Sequence, residues 1–485
     1  MTRSTGAVLG KRKFNDDDQR RFAVLSGDYN EIHLDRVAAR RAMGGEQVVH
    51  GLNTVLWAVD RFVSQSTETL TGLQCTFRKP VHLGEEIQAR LIGDNTAGVR
   101  VSVVRNGTGL VDIRLALGSL AEPKSPDDRT ALELPSAPAE LSIEEMSGLV
   151  GRLAIPLRDD LAIEAFPEAT SRLGGVVVSQ LSSISRLVGM VCPGRYSLLS
   201  GLDLVLNPSG SASHVDWKVT RADSRVAAVS LELTGGRVEG TVTAFARPRP
   251  TSQPTMRQVA EVIVPGEFSR SRALVVGGSR GLGELTAKLL AAGGVDVVVT
   301  WVASEQDAEL VVDEIRSAGA SASAIRLDVA HPAAPIEQMA SAGWLPDQIY
   351  YFATPPIFVR RTAFFDQALL DRFTDCYVGG FARVVEACHN AGAPLLTAFY
   401  PSSVAVEEDV EALTEYAAAK AAGEVAARIL GSSERWLTTV IRRLPRLPTD
   451  QTATFIPVPS EDSMTVMSAL LREMTVSERA REHSP

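Results

Sequence analysis

The chain has 485 residues, of which 45% are hydrophobic and 22% are charged, a composition typical of a globular protein with about three domains. Its formal net charge of −9 argues against a nucleic-acid groove or an anionic membrane surface, because both partners require clustered basic charge. The four cysteines include no C-x-x-C pair, and no run approaches about 18 apolar residues. We therefore expect reduced thiols, no metal site, no membrane span and a cytoplasmic protein that acts on small or carrier-bound substrates.

The first block contains the string FAVLSGDYNEIHLDRVAARRAMGGEQVVHGLN, which brings Asp28 and His33 into one short loop and places His50 directly before a glycine. A group that takes a proton from water and another that gives a proton back can together add water to a substrate. An aspartate and an imidazole that share one water molecule can do both. The helix predicted to begin at Gly51 offers backbone N–H donors to an oxygen that gains negative charge.

Together with FRKPVHLGEEI at positions 77–87, this string resembles the MaoC-like (R)-specific enoyl hydratases of the hotdog superfamily, over about residues 10 to 120. The resemblance implies that Asp28 and His33 form the catalytic pair. It also implies a substrate-binding set that consists of Asn30, His50 and Gly51. Glu31 stands where the family has a proline, and this substitution is expected to alter the loop that presents His33.

Two features near this string have a plainer interpretation. His50 is expected to belong to the helix start that positions the thioester rather than to act as a second base. Arg36, Arg40 and Arg41 are expected to form a solvated face, with contact to a phosphopantetheine or nucleotide phosphate as the alternative.

The second block repeats the order of the first, a helical segment and then a series of strands, with Leu73 and Leu202 at the start of corresponding strands. This order predicts two copies of one α+β unit, each a helix followed by a four-strand meander closed by a glycine turn. Aligning SRLVGMVCPGRYSLLSGL with EQVVHGLN puts Gly189 at the start of the second helix and Val188 in the place of His50. Because no Asp-x-x-x-x-His string precedes it, we expect the second copy to be non-catalytic and to cover the sheet or shape an acyl tunnel.

The last block alternates short β-branched runs, ALVVGG, VDVVVTW, AIRLDV and QIYYFAT, with helical patterns. This alternation predicts a doubly wound parallel sheet. After the first run, VVGGSRGLGE supplies glycines that let the backbone turn tightly and approach a pyrophosphate at the positive end of the following helix. The block is therefore expected to bind a dinucleotide.

A second motif in this block, PSSVAVEEDVEALTEYAAAK, contains Ser403, Tyr416 and Lys420. A helix puts Tyr416 and Lys420 on one face, where the ammonium would lower the pKa of the phenol and make it a proton donor near neutral pH. With the glycine run, this motif closely resembles the short-chain dehydrogenase/reductase family from about Ser271 onward. The resemblance implies a Rossmann-type fold, hydride transfer from a nicotinamide, Tyr416 as proton donor, Lys420 as a ribose ligand and Ser403 as the residue that orients the carbonyl.

Charge near the glycine loop favours NADPH over NADH. Arg280 lies inside the loop, and the second strand ends at TWVAS without the acidic residue that would bind a ribose 2′-hydroxyl. A solvated surface arginine is the alternative for Arg280. The implied cofactor-binding residues are Gly277, Ser279, Arg280, Gly281, Leu282, Gly283, Thr300, Asp328, Tyr416 and Lys420.

Three positions depart from the reductase pattern. Val276 replaces a loop threonine, Tyr351-Phe352-Ala353-Thr354 replaces Asn-Asn-Ala-Gly, and Cys376 replaces a helix asparagine. In the family this asparagine supports a proton relay through water. Its loss affects the expected turnover rate more than the reaction type, because the serine, tyrosine and lysine remain.

Two proline-containing segments, Ala121–Glu140 and Arg247–Gln258, are interpreted as linkers. The predicted architecture is an α+β double hotdog followed by an α/β doubly wound parallel-sheet Rossmann domain. Its expected domains are a catalytic MaoC-like hotdog at 1–125, a non-catalytic hotdog at 126–255 and a reductase at 256–485.

The two implied activities share one intermediate, a 3-hydroxyacyl thioester, so we expect a bifunctional enzyme that uses NADPH. Its expected partner is an acyl-CoA or acyl-carrier-protein thioester, and a homo-oligomer formed through the reductase domain stays open. Two alternatives also stay open. One is a hydratase or dehydratase whose reductase-like domain is inactive or acts on another carbonyl, and the other is a non-catalytic acyl or nucleotide sensor.

Overall fold

The structure is a computed structural model, and it describes residues 5–41, 45–95, 98–120, 137–156, 158–268, 271–357, 364–408, 413–452 and 458–482. The chain divides into two units, whose boundary lies between Arg249 and Pro250, inside the segment RPRPTSQPTMRQ. The predicted linker Ala121–Glu140 lies outside the described residues as far as residue 136.

The first half of the N-terminal unit consists of a long apolar helix and the strands around it. Leu52, Val55, Leu56 and Phe62 are buried on this helix, because they pack into the core between helix and strands. The helices are α1 (Asp16–Ser26), α2 (Glu31–Leu34), α3 (Arg36–Arg40) and α4 (Gly51–Val63). The strands are β1 (Val8–Lys13), β2 (Thr69–Phe77), β3 (Glu86–Asn95), β4 (Gly98–Arg105) and β5 (Thr108–Gly118).

The second half repeats this arrangement, and its central helix continues into a π-helical turn at Leu187–Val191. Its helices are α5 (Ile143–Met146), α6 (Asp159–Ala165), α7 (Pro167–Leu173) and α8 (Gly175–Arg186). Its strands are β6 (Val150–Ala154), β7 (Ser197–Leu206), β8 (His214–Asp223), β9 (Ala228–Thr234) and β10 (Val238–Ala246).

The strands of both halves form one ten-stranded antiparallel sheet in the order β1-β3-β4-β5-β2-β7-β10-β9-β8-β6. The halves meet where β2 pairs with β7, with Leu73 opposite Leu204 and Cys75 opposite Leu202. One hydrophobic core runs through both halves and includes residues of α4 and α8. The predicted double hotdog is therefore confirmed.

Two details of the predicted repeat are wrong. Neither half contains a four-strand meander, because the strand after each central helix pairs with the last strand of its half, β2 with β5 and β7 with β10. Gly189 does not begin the second central helix, which starts at Gly175 and reaches Gly189 only in its final π turn. The alignment of the second half with the first was wrong here because the connecting segments differ in length. Gly174 alone separates α7 from α8, whereas residues 27–50 separate α1 from α4.

The C-terminal unit contains a parallel six-stranded sheet in the order β13-β12-β11-β14-β15-β16, with an apolar core on either side. The strand order reverses beside β11, which leaves the crevice where dinucleotides bind in such sheets. The predicted doubly wound α/β fold is confirmed. The strands are β11 (Arg272–Val276), β12 (Asp296–Trp301), β13 (Ala322–Arg326), β14 (Gln348–Tyr351), β15 (Leu396–Ser403) and β16 (Leu437–Leu444). The helices are α9 (Met256–Val259), α10 (Gly281–Ala292), α11 (Glu305–Ser317), α12 (Ala333–Ser341), α13 (Gln367–Thr374), α14 (Phe381–Asn390), α15 (Thr414–Ser433) and α16 (Ser463–Glu482).

Within the described ranges, no single helix is long and apolar enough to cross a membrane. One pair of helices, Pro167–Leu173 with Gly175–Val191, reaches the required length and apolar content only when its members are joined across a bend of 117°.

Candidate active sites

A tight turn after α1 presents the residues of the predicted catalytic loop. Helix α1 ends at Gly27, whose φ of +76° lies in the left-handed region that favours glycine. The chain then passes through Asp28, and Asn30 caps α2 by accepting a hydrogen bond from the backbone N–H of Ile32. Local caps therefore fix the backbone on both sides of Asp28.

Asp28 and His33 face each other at a separation that one bridging water can span. Oδ2 of Asp28 lies 4.0 Å from Nε2 of His33, and Asp28 is 1% exposed. Nδ1 of His33 lies 2.8 Å from the carbonyl oxygen of Val48, which can only accept, so the proton is assigned to Nδ1. Nε2 of the neutral imidazole is then a free acceptor on the side of the Asp28 carboxylate.

The second half of the double hotdog holds Asp28 in place. Its Oδ2 accepts a 2.7 Å hydrogen bond from the hydroxyl of Ser185 on α8, and its Oδ1 accepts one from the backbone N–H of Asn30. A Cβ at Gly189 would lie 2.4 Å from Oδ1, so only glycine fits there. Asn30 donates in turn to the carbonyls of Gly189 and Arg195 at 2.9 and 3.0 Å. Sequence reasoning missed Ser185, because nothing local marks a residue 157 positions from its partner.

His50 lies behind His33 rather than in the wall of a cavity. It immediately precedes α4 and is fully buried. Its ring stacks on that of His33, with centroids 3.9 Å apart and planes inclined by 26°. Its Nε2 lies 3.1 Å from the backbone carbonyl of Asp28 and donates there, while Nδ1 has no hydrogen-bond partner in the described part of the chain. His50 thus contacts both members of the predicted pair.

Burial controls the charge states in this group. It raises the pKa of Asp28, against the opposing effects of His33 and of the hydrogen bond from Ser185. It lowers the pKa of His33, against the opposing charge of Asp28, and it lowers the pKa of His50 well below the usual range. Both imidazoles are therefore neutral near pH 7, and the carboxyl is closer than usual to the range of a proton donor.

A cleft leads from this group to solvent. Asp28 and His33 line it, and the first turn of α4 contributes Gly51. A Cβ at Gly51 would lie 2.9 Å from the ring of Phe77 and 3.3 Å from Leu199, so this close approach requires glycine. The mixture of an apolar wall and a few polar groups suits an acyl chain with a reactive end. Apolar lining residues include Ile32, Val49, Val81, Val111, Val188 and Leu198.

Asp28, His33 and His50 also bring potential metal-ligand atoms within 4.8 Å of one another, the one such group in the described residues. The Nε2–H of His50 is donated to a backbone carbonyl, and the two rings stack instead of converging on one point. This geometry suits a pair that handles water better than a tetrahedral metal centre.

The glycine loop of the C-terminal unit joins β11 to α10. Gly277 has a φ of +79°, and a Cβ there would lie 2.8 Å from the backbone nitrogen of Ala353. A Cβ at Gly283 would lie 2.3 Å from the carbonyl of Gly277, so these two glycines let helix and loop pack closely on the sheet. Gly281 has a φ of +58°, and a Cβ there would meet only Thr449, at 3.8 Å. That open side at the helix start can receive a pyrophosphate.

The other predicted cofactor residues lie around this loop. Thr300 is buried, and its hydroxyl accepts a 3.0 Å hydrogen bond from the N–H of Gly277, so Thr300 supports the loop from beneath. Arg280 directly precedes α10, and its guanidinium lies 3.8 Å from the carboxylate of Asp450. The remaining predicted members, at the carboxyl end of the same sheet, are Ser279, Leu282 and Asp328.

Tyr416 and Lys420 lie one turn apart on α15, and Ser403 ends β15. Burial raises the pKa of Tyr416 to about 12, opposed by a hydrogen bond with Ser403. Burial also lowers the pKa of Lys420 to about 8. Its Nζ donates to the carbonyl of Pro401 at 2.8 Å and lies 4.0 Å from the ring centroid of Tyr377, but 6.0 Å from that of Tyr416. The expectation that Lys420 lowers the pKa of Tyr416 is wrong for this arrangement, because the ammonium faces Tyr377.

Two substituted positions of the reductase pattern contact each other. The hydroxyl of Tyr351 donates to the backbone carbonyl of Cys376 at 2.7 Å. Cys376 belongs to the π turn Asp375–Gly380, which connects α13 to α14. Sequence reasoning identified both substitutions but missed Tyr377, whose only signal was its place directly after Cys376.

Comparison with known proteins gives a match to each unit. A family model described as a MaoC like domain matches residues 6–111, and a model described as short chain dehydrogenase matches residues 271–343. Protein MaoC of Klebsiella aerogenes is 35% identical over 85 residues, which cover 17% of this chain and 25% of that protein. The short-chain dehydrogenase/reductase FrzI of a Cladobotryum species is 29% identical over 189 residues, which cover 37% of this chain and 68% of that protein.

A 3-oxoacyl-[acyl-carrier-protein] reductase of Synechocystis is 48% identical over 59 residues, which cover 12% of this chain and 24% of that protein. A solved short chain dehydrogenase from Burkholderia cenocepacia, in complex with NADP, matches with 25% identity and a TM-score of 0.38 over 44% of this chain and 91% of that chain. The chain covers 25%, 32% and 26% of the lengths of three of the curated relatives that it matches.

The two family models match different parts of the sequence. The chain is therefore a fusion that carries a MaoC-like domain near its N-terminus and a short-chain dehydrogenase domain later in the sequence.

Proposed function

We propose that the chain is a bifunctional enzyme of acyl-thioester metabolism. One unit reduces a 3-oxoacyl thioester to the 3-hydroxyacyl thioester with NADPH, and the other interconverts that product with the trans-2-enoyl thioester. The observation that carries the proposal is the pair of Asp28 and His33, 4.0 Å apart in an apolar cleft beside the first turn of α4.

In the proposed hydration, a water molecule lies between Oδ2 of Asp28 and Nε2 of His33. The free Nε2 takes a proton from the water as its oxygen bonds to the β-carbon, and the Asp28 carboxyl gives a proton to the α-carbon. Transfer of the proton from His33 to Asp28 restores the starting state. Backbone N–H groups at the start of α4, from Gly51 onward, stabilise the thioester oxygen as it gains charge.

In the proposed reduction, Ser403 orients the ketone oxygen and Tyr416 gives it a proton. Tyr416 is protonated near neutral pH, because its pKa is raised to about 12. Hydride is the chemistry that a bound NADPH supplies. Gly277, Gly281 and Gly283 fit its pyrophosphate, since the loop excludes Cβ atoms at two of these positions and leaves the third open.

NADPH is proposed over NADH on the position of Arg280 at the start of α10. Arg280 would hold the 2′-phosphate, and its guanidinium lies 3.8 Å from the carboxylate of Asp450. A phosphate carries more charge than a carboxylate and accepts more hydrogen bonds, so the guanidinium favours the phosphate.

A second candidate is a hydratase or dehydratase whose reductase-like unit does not turn over. It is favoured by the contact of Lys420 with Tyr377 and by the hydrogen bond that Tyr351 gives to the Cys376 carbonyl. Lys420 is the residue that would hold the ribose, and its ammonium already donates to the Pro401 carbonyl.

The deciding experiment supplies the full chain with NADPH and acetoacetyl-CoA, and separately with crotonyl-CoA, and identifies the products by mass. Asp28→Asn should lower hydration by about 100-fold or more and leave NADPH oxidation unchanged, whereas Tyr416→Phe should do the reverse. Hydration without NADPH oxidation would leave the second candidate standing. Binding of both ligands with no turnover of either would identify a sensor.

A further inference from the structure

Two basic side chains lie at the solvent end of the cleft that leads to Asp28. Arg78 and Lys79 directly follow β2, and both are exposed and line the cleft. Asp28, 1% exposed, lies at the buried end. It is also the one acidic residue among those that line the cleft, so the entrance is positive in a chain whose formal net charge is −9.

The charges of Arg78 and Lys79 are accessible to a ligand. Lys79 has no ion-pair partner in the part of the chain that the structure describes. Nε of Arg78 lies 2.5 Å from the carboxylate of Asp112, but these side chains are 59% and 41% exposed, and such pairs contribute little in water. The backbone N–H groups of both basic residues donate to the carbonyl of Leu110, so the segment that carries them is held to the sheet.

We propose that Arg78 and Lys79 bind the phosphate of the phosphopantetheine arm that carries the acyl group, an inference that rests on the proposed hydratase function. A thioester that reaches Asp28 and His33 leaves its long amide arm in the cleft and its phosphate toward solvent. A guanidinium and an ammonium at that end complement the phosphate oxygens.

A phosphate contact was also the alternative for the three arginines that follow His33, which are Arg36, Arg40 and Arg41. None of them lines the cleft. The guanidinium of Arg36 instead contacts Asp16 at 3.3 Å and Gln47 at 3.2 Å. We therefore assign the phosphate contact to the two basic residues that follow β2.

The test compares kcat/KM for hydration of four crotonyl thioesters by the full chain. Those of N-acetylcysteamine and pantetheine lack the phosphate, whereas those of coenzyme A and of a carrier protein contain it. We expect the natural chain to prefer a phosphate-bearing thioester over the pantetheine thioester by about tenfold. Arg78→Gln combined with Lys79→Glu should remove that preference through KM and leave the pantetheine thioester unaffected.

Lys13→Glu is the control for Lys79→Glu, because it makes the same charge change as that single substitution at an exposed lysine of the same unit that does not line the cleft. The preference should persist in this variant, and added salt should reduce it in the natural chain. If the double variant loses turnover of the coenzyme A thioester, the bound phosphate belongs to coenzyme A. If it loses turnover of the carrier-protein thioester, the phosphate belongs to a carrier protein.

Equal losses on all four thioesters, or no loss on either phosphate-bearing one, would overturn the assignment. If the natural chain hydrates none of them, the proposed hydratase function fails instead. Binding of coenzyme A and of pantetheine to the full chain, measured by calorimetry, then decides the phosphate site: equal affinities reject it, and a preference that the double variant loses supports it.

Discussion

At the scale of single residues, the hydrogen bond from Ser185 to Asp28 joins the two halves of the double hotdog at the proposed hydratase site. Ser185→Ala removes a donor that lowers the pKa of the buried carboxyl, so that pKa should rise further. In the proposed hydration the carboxyl becomes charged as it gives up its proton, so loss of this hydrogen bond should lower kcat by roughly tenfold to a hundredfold. The pH profile should also shift, with the carboxyl limb moving to higher pH.

The matched control for this change is Ser183→Ala on the same helix. The hydroxyl of Ser183 is buried without a hydrogen-bond partner among the described residues, so its removal leaves the carboxylate untouched. Equal losses of kcat in the two variants would mean that Ser185 acts only through helix packing.

The stacked histidines make stability depend on pH. Burial lowers the pKa of His33 and of His50, so the unfolded chain takes up protons below about pH 6.5 that the folded chain refuses. Between about pH 7 and 5.5, each should subtract up to about 1.4 kcal/mol of unfolding free energy per pH unit. The raised pKa of Asp28 acts in the opposite sense, because protonation at lower pH then favours the folded state.

Urea unfolding of the natural chain and of His50→Phe, followed across this range, measures the effect. The variant should be less stable at pH 7, because it loses the hydrogen bond to the Asp28 carbonyl, but its stability should fall less steeply with acid. Identical slopes for the two proteins would contradict a buried neutral His50.

Much of this site follows from local sequence, and the rest does not. Asp28, Asn30 and His33 lie within one turn and one short helix, so their spacing alone brings them together. The stacking of His50 on His33 depends on how α4 enters the core, and the contact of Ser185 depends on the fold of a second domain-sized segment. Neither of these two contacts can be predicted from the spacing of the residues along the chain.

At the scale of elements, the central helices exchange contacts across the two halves. Ser185 on α8 contacts the first half, and Asp60 on α4 contacts the second half. The Oδ1 of Asp60 accepts hydrogen bonds from the backbone N–H groups of Glu168 and Ala169 at 2.8 and 2.9 Å. Helix α7 has no side-chain cap of its own, so Asp60 supplies one from the other half.

Asp60→Ala should therefore destabilise the N-terminal unit by about 1 to 3 kcal/mol, because it leaves two N–H groups, one of them buried, without this acceptor. Denaturant unfolding measures this loss. Asp17→Ala, at a side chain that is 76% exposed, serves as the control and should change stability by less than about 0.5 kcal/mol. A similar change in both variants would show that the cap across the halves contributes nothing.

The predictions of helices and strands were correct where the hydrophobic periodicity was strong, and they were wrong at the junctions between two elements. The alternation in the C-terminal block predicted the parallel sheet, since each of the four runs overlaps one of its strands. The second central helix was placed too late, because the glycine pair Gly174-Gly175 at its start looks like a turn while Gly189 resembles a helix start. Strand pairing across the two halves could not be read from either half alone.

At the scale of the whole molecule, the two units have separate hydrophobic cores and should unfold in separate transitions. NADPH at about 100 times its Kd should stabilise only the C-terminal unit, by about 2.7 kcal/mol. Differential scanning calorimetry with and without NADPH measures this shift, and NADH provides the comparison for the 2′-phosphate. A ligand-induced shift of both transitions would contradict independent units.

The crossed contacts of Ser185 and Asp60 have a consequence for symmetry. In a dimer of identical hotdogs, every residue occurs at both related positions, so a serine that serves one site must serve the other as well. Joining two copies in one chain removes that constraint. In this chain only Gly174 separates α7 from α8 and Asp60 caps α7 from the other half, whereas the proposed hydratase site draws on residues of both halves.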